Sequence, residues 1–213
     1  MLKLFYTPGA CSMVPHIALE EARAQYDKVL VDFRSGDQLK PDFLKINPKG
    51  RVPVLATNRG VLTEIPAILG YIAFTYPSAQ LADIEDHFAF AEMQAFHMFI
   101  ATTIHVTFRQ ISRPDFYADG QHAAEALRAK VPERSNEHFA IIEAQLADGR
   151  PWVHGDRYTA SDPYLFVFAS YLRRGDRGDP SRFPAIMAHW RRVRARAAVE
   201  RVLHDEGLTD SWG

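Results

Sequence analysis

The chain has one cysteine, Cys11, in the segment Tyr6-Thr7-Pro8-Gly9-Ala10-Cys11-Ser12, between an apolar run and the start of a helical pattern. A thiol just ahead of a helix amino terminus meets aligned N–H groups that favour its ionised form, and a thiolate is a nucleophile. Ser12 follows it directly and Tyr6 closes the preceding run, so two hydroxyls stand close by in sequence as supporting groups. The other reading of Cys11 is a small buried hydrophobe, a common state of free cysteines.

Three further places carry chemistry. An X-Pro bond at Val52-Pro53, if cis, exposes the preceding backbone so that an extended peptide can pair with it as an added strand; if trans, it opens an edge strand. Glu64 precedes a helical run, where a carboxylate either caps the helix or accepts an ammonium. His105 lies in a helical stretch near Phe99 and Phe108, and reads either as a hydrogen-bond partner for a thiolate or as packing. His16, on the first helix, reads as packing; His87 and His97 are too far apart along a helix to share an ion, so no metal is expected.

The elements that position these residues change character along the chain. Leu2 to Tyr6 reads as a buried strand, Pro15 to Glu21 as a helix, and Lys28 to Phe33 as a second strand with Val29, Val31 and Phe33 on one face. Asp42 to Ile46 is a helical turn, Val52 to Thr57 and Gly60 to Thr63 are strands joined by a turn at Asn58-Arg59-Gly60, and Pro66 to Tyr76 is a helix. That β-α-β-α-β-β-α order makes residues 1–77 an α/β domain. From 86 to 213 the pattern is helical, with Phe88, Ala91, Ala95, Met98 and Phe99 at three- and four-residue steps. Helices follow over Glu125 to Ala147, Asp162 to Leu172 and Phe183 to Leu203. In Thr159-Ala160-Ser161-Asp162 the threonine hydroxyl caps the next helix while the aspartate returns a bond to the threonine N–H, a structural role. The run Arg191 to Arg196, with Glu200 and Glu206 near it, reads as a solvated helix face.

Composition limits what such a chain does. Its 213 residues are 47% hydrophobic and 24% charged, which excludes general disorder. A net charge of −1 gives no excess to attract nucleic acid, and no apolar stretch is long enough to span a membrane. A single cysteine and an amino terminus that turns by Pro8 point to the cytoplasm.

Taken together, the Pro-Gly-Ala-Cys-Ser-x-x-Pro-His segment from Pro8, the Asn47-Pro48-Lys49-Gly50-x-Val52-Pro53 segment, Glu64-Ile65-Pro66 and Gly155-Asp156-x-Tyr158-Thr159-x-x-Asp162 resemble the cytosolic glutathione transferases, most closely the bacterial beta class. The resemblance spans essentially the whole chain. It implies a thioredoxin-like amino-terminal domain, an all-helical carboxyl-terminal domain, a homodimer, and glutathione as co-substrate conjugated to small hydrophobic electrophiles. It also implies that Val52 and Pro53 hold the cysteinyl part of glutathione, with Ala10 and Arg51 beside them. Glu64 would take the γ-glutamyl ammonium, and Cys11 and His105, supported by Tyr6 and Ser12, would act on the sulfur.

Two positions depart from the family pattern. Ile65 stands where the family usually has a serine that binds the γ-glutamyl carboxylate, and Val106 where a lysine commonly follows the histidine. A missing hydrogen bond to a charged group is worth roughly 1.5–3 kcal/mol, and isoleucine is a poor helix cap. Two other functions therefore stand beside conjugation: glutathione-dependent thiol–disulfide exchange with Cys11 as nucleophile, and a non-catalytic binding protein on the same fold.

Overall fold

Leu2–Tyr6 forms β1, with Leu2, Leu4 and Phe5 buried and Lys3 exposed. A computed structural model, which describes residues 1–209 and Trp212, sets it inside a four-stranded sheet of order β2-β1-β3-β4. Tyr26–Leu30 (β2) pairs parallel to β1, whereas Val54–Thr57 (β3) and Gly60–Thr63 (β4) pair antiparallel. Helices α1 (Met13–Glu21) and α3 (Ile65–Thr75) pack on each other, and α2 (Pro41–Ile46) brings Phe43 edge-on to Phe5, in a cluster with Val31, Val52 and Val54. This is the thioredoxin-like arrangement expected from the sequence.

The sheet corrects two boundaries. The second strand runs from Tyr26 to Leu30 instead of Lys28 to Phe33, because β1 supplies partners only from Leu2↔Tyr26 to Tyr6↔Leu30. Val31 stays in the core, held by its N–H to Tyr6 O, but the chain then turns on Asp32 and leaves Phe33 exposed. The third strand starts at Val54 and not at Val52, since Pro53 has no N–H to give a ladder.

The remaining helices are α4 (His87–Phe99), α5 (His105–Ser112), α6 (Gln121–Leu146), α7 (Ser161–Leu172), α8 (Pro184–Arg194) and α9 (Ala197–Asp205). One π turn, Ile100–Ile104, joins α4 to α5. On α4 the apolar positions Phe88, Ala91, Ala95 and Met98 are exposed, and burial falls on Met93, Phe96 and His97. Phe183 to Leu203 is not one helix: Arg196 is extended, at φ −78° and ψ 136°, and its guanidinium pairs with Glu21 through bonds of 2.6 and 3.0 Å.

That break has a consequence for the units. Residues 1–90 together with those from 195 onward form one compact unit, and residues 91–194 the other, a division that differs from the 1–77 and 86–213 read from the sequence. The cause is the packing of α9 on α1, reinforced by Arg201 on Glu20 and Lys28 on Asp205. Among the described residues, no helix is long and apolar enough to cross a membrane.

In the second unit the start of α7 is built on Asp162, which is fully buried. Its Oδ2 accepts the Thr159 N–H at 2.6 Å; its Oδ1 accepts the Val153 N–H at 2.9 Å and lies 2.8 Å from His189 Nε2. Thr159 Oγ1 in turn accepts the Ser161 N–H at 3.3 Å, the reciprocal pattern expected of this segment. Replacing Asp162 by alanine strands several buried donors, and we expect a loss of at least about 3 kcal/mol in chemical denaturation.

Beside it Ser161 Oγ lies 2.9 Å from both His97 Nε2 and His154 Nε2. Burial, with His154 nearby, pushes the His97 pKa from 6.5 down to about 3, and burial lowers His154 as well. The folded state therefore holds both rings neutral while the unfolded chain protonates them near pH 6.5. The contribution of His97 is intact above that pH and is lost as pH falls from 6.5 toward 3, at up to about 1.4 kcal/mol per pH unit, and that of His154 is lost in the same direction. Denaturation midpoints measured from pH 8 to 4 should fall below pH 6.5, and His97→Phe should flatten the curve.

Candidate functional site

The loop that carries Cys11 is fixed by its neighbours before Cys11 itself does anything. Thr7 donates its N–H to Ser12 Oγ at 3.1 Å, Ser12 Oγ donates to Thr7 O at 3.2 Å, and Thr7 Oγ1 donates to Val31 O at 2.6 Å. Gly9, at φ +68°, takes a left-handed conformation suited to glycine and gives its N–H to Glu206 Oε2 at 2.8 Å. Ser12 is fully buried and its oxygen is committed to Thr7, so it braces the loop. Tyr6 is half-buried, its ring 5.6 Å from that of His16. Cys11, two residues ahead of α1, is half-exposed, as is Ala10.

Facing the thiol is the bend before β3. The Val52-Pro53 bond is cis, as the motif suggested, and Cys11 Sγ donates to Val52 O at 3.6 Å, a bond that only the protonated thiol can make. The bend is held from beneath by Asn47, which is buried: its Nδ2 donates to Arg51 O at 2.7 Å and its Oδ1 accepts the Lys49 N–H at 3.2 Å. Gly50 at φ +60° closes the turn, and a Cβ there would come within 3.1 Å of Gln38 O. The Arg51 side chain is exposed while Val52 and Pro53 are buried.

Glu64 and Ile65 open α3. Glu64 has φ +68° and ψ 123°, a conformation that costs a non-glycine residue about 1–3 kcal/mol and recurs at functional sites. It is the residue that caps α3, although its side chain bonds no N–H of the first turn. Ile65 is thus the first helical residue and not the cap, and its side chain is buried at 5% exposure. The Glu64 carboxylate instead receives the Lys49 ammonium, which also donates to Thr63 Oγ1 at 2.9 Å.

Tyr6, Ala10, Cys11, Ser12, Arg51, Val52, Pro53, Glu64 and Ile65 all belong to the first unit, and His105 belongs to the second. His105 directly follows the π turn, is half-exposed, and sets its ring edge-on to Phe168 at 5.1 Å; Val106 beside it is exposed. A π turn inserts one residue into a helix and re-aims the side chains of the next turn.

Sequence reasoning missed Glu206, Asn47 and Lys49. Glu206 Oε1 lies 2.8 Å from His16 Nδ1, both side chains being fully buried, while its Oε2 holds Gly9. No spacing rule connects residues this far apart, whereas the Asn47-Pro48-Lys49-Gly50 motif did mark the other two. Removing the carboxylate leaves His16 and the Gly9 N–H without their acceptor. Glu206→Ala should therefore lower the unfolding free energy by about 3–5 kcal/mol in urea titrations.

The family model "Glutathione S-transferase, N-terminal domain" matches residues 1–74, and "Glutathione S-transferase, C-terminal domain" matches residues 89–197. Glutathione S-transferase GST-4.5 of Xanthomonas campestris is 31% identical over 97% of this chain and 100% of its own. A glutathione transferase homologue from Sulfitobacter, solved with bound glutathione, superposes with a TM-score of 0.91 at 39% identity, covering 98% of this chain and 99% of that one. A beta class glutathione S-transferase from Sphingomonas chungbukensis gives 0.83 at 33% identity, covering 97% and 99%. With both domain models matched in order and relatives aligned from end to end, the chain belongs to the glutathione S-transferase family.

Proposed function

We propose that the protein binds glutathione in its first unit and conjugates it to small hydrophobic electrophiles. The observation that carries this reading is Cys11 Sγ 3.6 Å from Val52 O, at the bend before β3. An extended cysteinyl residue pairing with Val52 would have its sulfur delivered next to the Cys11 thiol. Ala10 and Arg51 border that path, and Glu64 offers a carboxylate to the γ-glutamyl ammonium. In the reaction the glutathione thiol gives up its proton to solvent, its sulfur forms a bond to the electrophilic carbon, and the leaving group departs with the electron pair of the bond that breaks. The Cys11 S–H, which donates to a carbonyl in the structure, would donate to that thiolate and lower the cost of forming it. His105, half-exposed on the second unit, is the residue that the family resemblance offers as a further donor to the sulfur or to the glycyl end.

The exposed stripe Phe88, Ala91, Ala95 and Met98 on α4 supports a homodimer, since an unpaired apolar helix face marks an interface. The reading also places the protein in the cytoplasm, where its thiol stays reduced.

One observation favours the exchange reaction as a second activity: Cys11 is half-exposed, as a residue that attacks a disulfide must be. Cys11→Ala separates the two, because exchange would vanish while conjugation would only slow. Calorimetric titration of reduced glutathione at neutral pH should give a dissociation constant below about 1 mM, and Ile65→Ser should tighten it roughly tenfold or more. If wild type gives no heat and only the serine variant binds, the altered site serves a different ligand.

A further inference from the structure

Lys49 differs from its neighbours in what it pairs with. Lys40 bonds Asp37 and Lys45 bonds Asp42, each three residues away, whereas Lys49 reaches fifteen residues along the chain to Glu64. There its ammonium also takes the Thr63 hydroxyl. Its own backbone is not free to wander, because its N–H is held by the buried Asn47 and Gly50 fixes the turn behind it. A lysine on this rigid bend therefore delivers one positive charge to the mouth of α3, beside the carboxylate proposed to bind the ligand's ammonium.

We infer that Lys49 reads the α-carboxylate of the γ-glutamyl group, in place of the serine hydroxyl that this chain lacks at Ile65. The inference rests on the glutathione reading above. The α-amino and α-carboxylate groups of an amino acid share one carbon atom, so an ammonium seated on Glu64 carries its carboxylate to the place where the Lys49 ammonium sits. The Lys49–Glu64 pair is itself weak, its side chains being 47% and 62% exposed. Binding then amounts to an exchange of partners: the ligand's ammonium replaces Lys49 on Glu64, and Lys49 turns to the carboxylate. Ile65 keeps its backbone N–H at the first turn of α3, where negative charge is favoured, but its buried side chain offers no donor. A charged partner at Lys49 makes good that loss, and selects ligands with a zwitterionic end over those with an ammonium alone.

The test is a set of calorimetric titrations on wild type and Lys49→Ala, with melting curves to confirm that this exposed substitution leaves the fold intact. The ligands are reduced glutathione, 4-aminobutanoyl-cysteinylglycine, which lacks the α-carboxylate, and 4-carboxybutanoyl-cysteinylglycine, which lacks the amine. Lys49→Ala should weaken glutathione at least fivefold and weaken the ligand without the carboxylate by less than twofold. It should still weaken the ligand without the amine at least fivefold. In an Ile65→Ser background the penalty for losing Lys49 should shrink, because the new hydroxyl takes over part of the contact. Tighter or unchanged glutathione binding by Lys49→Ala would make Lys49 a competitor or a bystander and overturn the assignment while leaving the transferase reading intact. An equal penalty on the ligand without the carboxylate would also overturn it, as a general charge effect. If neither wild type nor Ile65→Ser binds glutathione at all, the parent reading falls and this one with it.

Discussion

One buried carboxylate holds the first unit in register. Glu206 has two oxygens and uses both: one on His16, in the middle of α1, and one on the Gly9 N–H in the loop before Cys11. A charge taken out of water this completely is tolerable only with such partners. Once they are in place, the end of α9, the first helix and the cysteine loop cannot move independently. The Tyr6 and Tyr26 rings lie on His16 at 5.6 and 5.9 Å, and Arg196 on Glu21 and Arg201 on Glu20 extend the same seam along α1. Beneath the cysteine loop thus lies a pair of side chains, His16 and Glu206, that are fully buried.

Much of this architecture is legible in the sequence because it is local. The apolar run Leu2 to Tyr6, the Val52-Pro53 bend and the Thr159 to Asp162 segment each act through neighbours within a few residues, and the structure keeps each of them. What escaped is of two kinds. Long-range partners have no spacing to give them away, so Glu206 looked like one of several charges near an arginine run. Amphipathic periodicity, in turn, says that a helix has an apolar face but not what that face meets. The stripe from Phe88 to Met98 has helical spacing and is exposed. The continuous pattern from Phe183 to Leu203 likewise hid the break at Arg196, because an extended residue between two good helices leaves the period nearly undisturbed.

The candidate site itself is largely backbone. Val52 offers its carbonyl, Gly9 and Gly50 supply conformations that other residues resist, and Glu64 holds one that is costly for any side chain. Side chains such as Ser12, Asn47 and Thr7 serve to keep that backbone still. Ser12, adjacent to the cysteine, both accepts from and donates to the Thr7 backbone through its one oxygen. Ile65 can replace a polar residue without disturbing the helix start, since the turn is set by Glu64 and Pro66 while Ile65 adds buried apolar surface.

The first unit is discontinuous in sequence, drawing its last helix from beyond residue 195. A ribosome delivers the chain from its amino terminus, and domains generally fold as they emerge. By the time α9 appears, residues 91–194 are already outside, so the second unit can reach its final packing while the first still has an open seam along α1. The buried His16 and the Gly9 N–H wait, without their carboxylate, through the synthesis of the whole middle of the protein. A chain cut between residues 195 and 205 would therefore keep every residue of the second unit but lack the carboxylate that tethers the cysteine loop. In this order of assembly, the thiol site is among the last parts of the molecule to be completed.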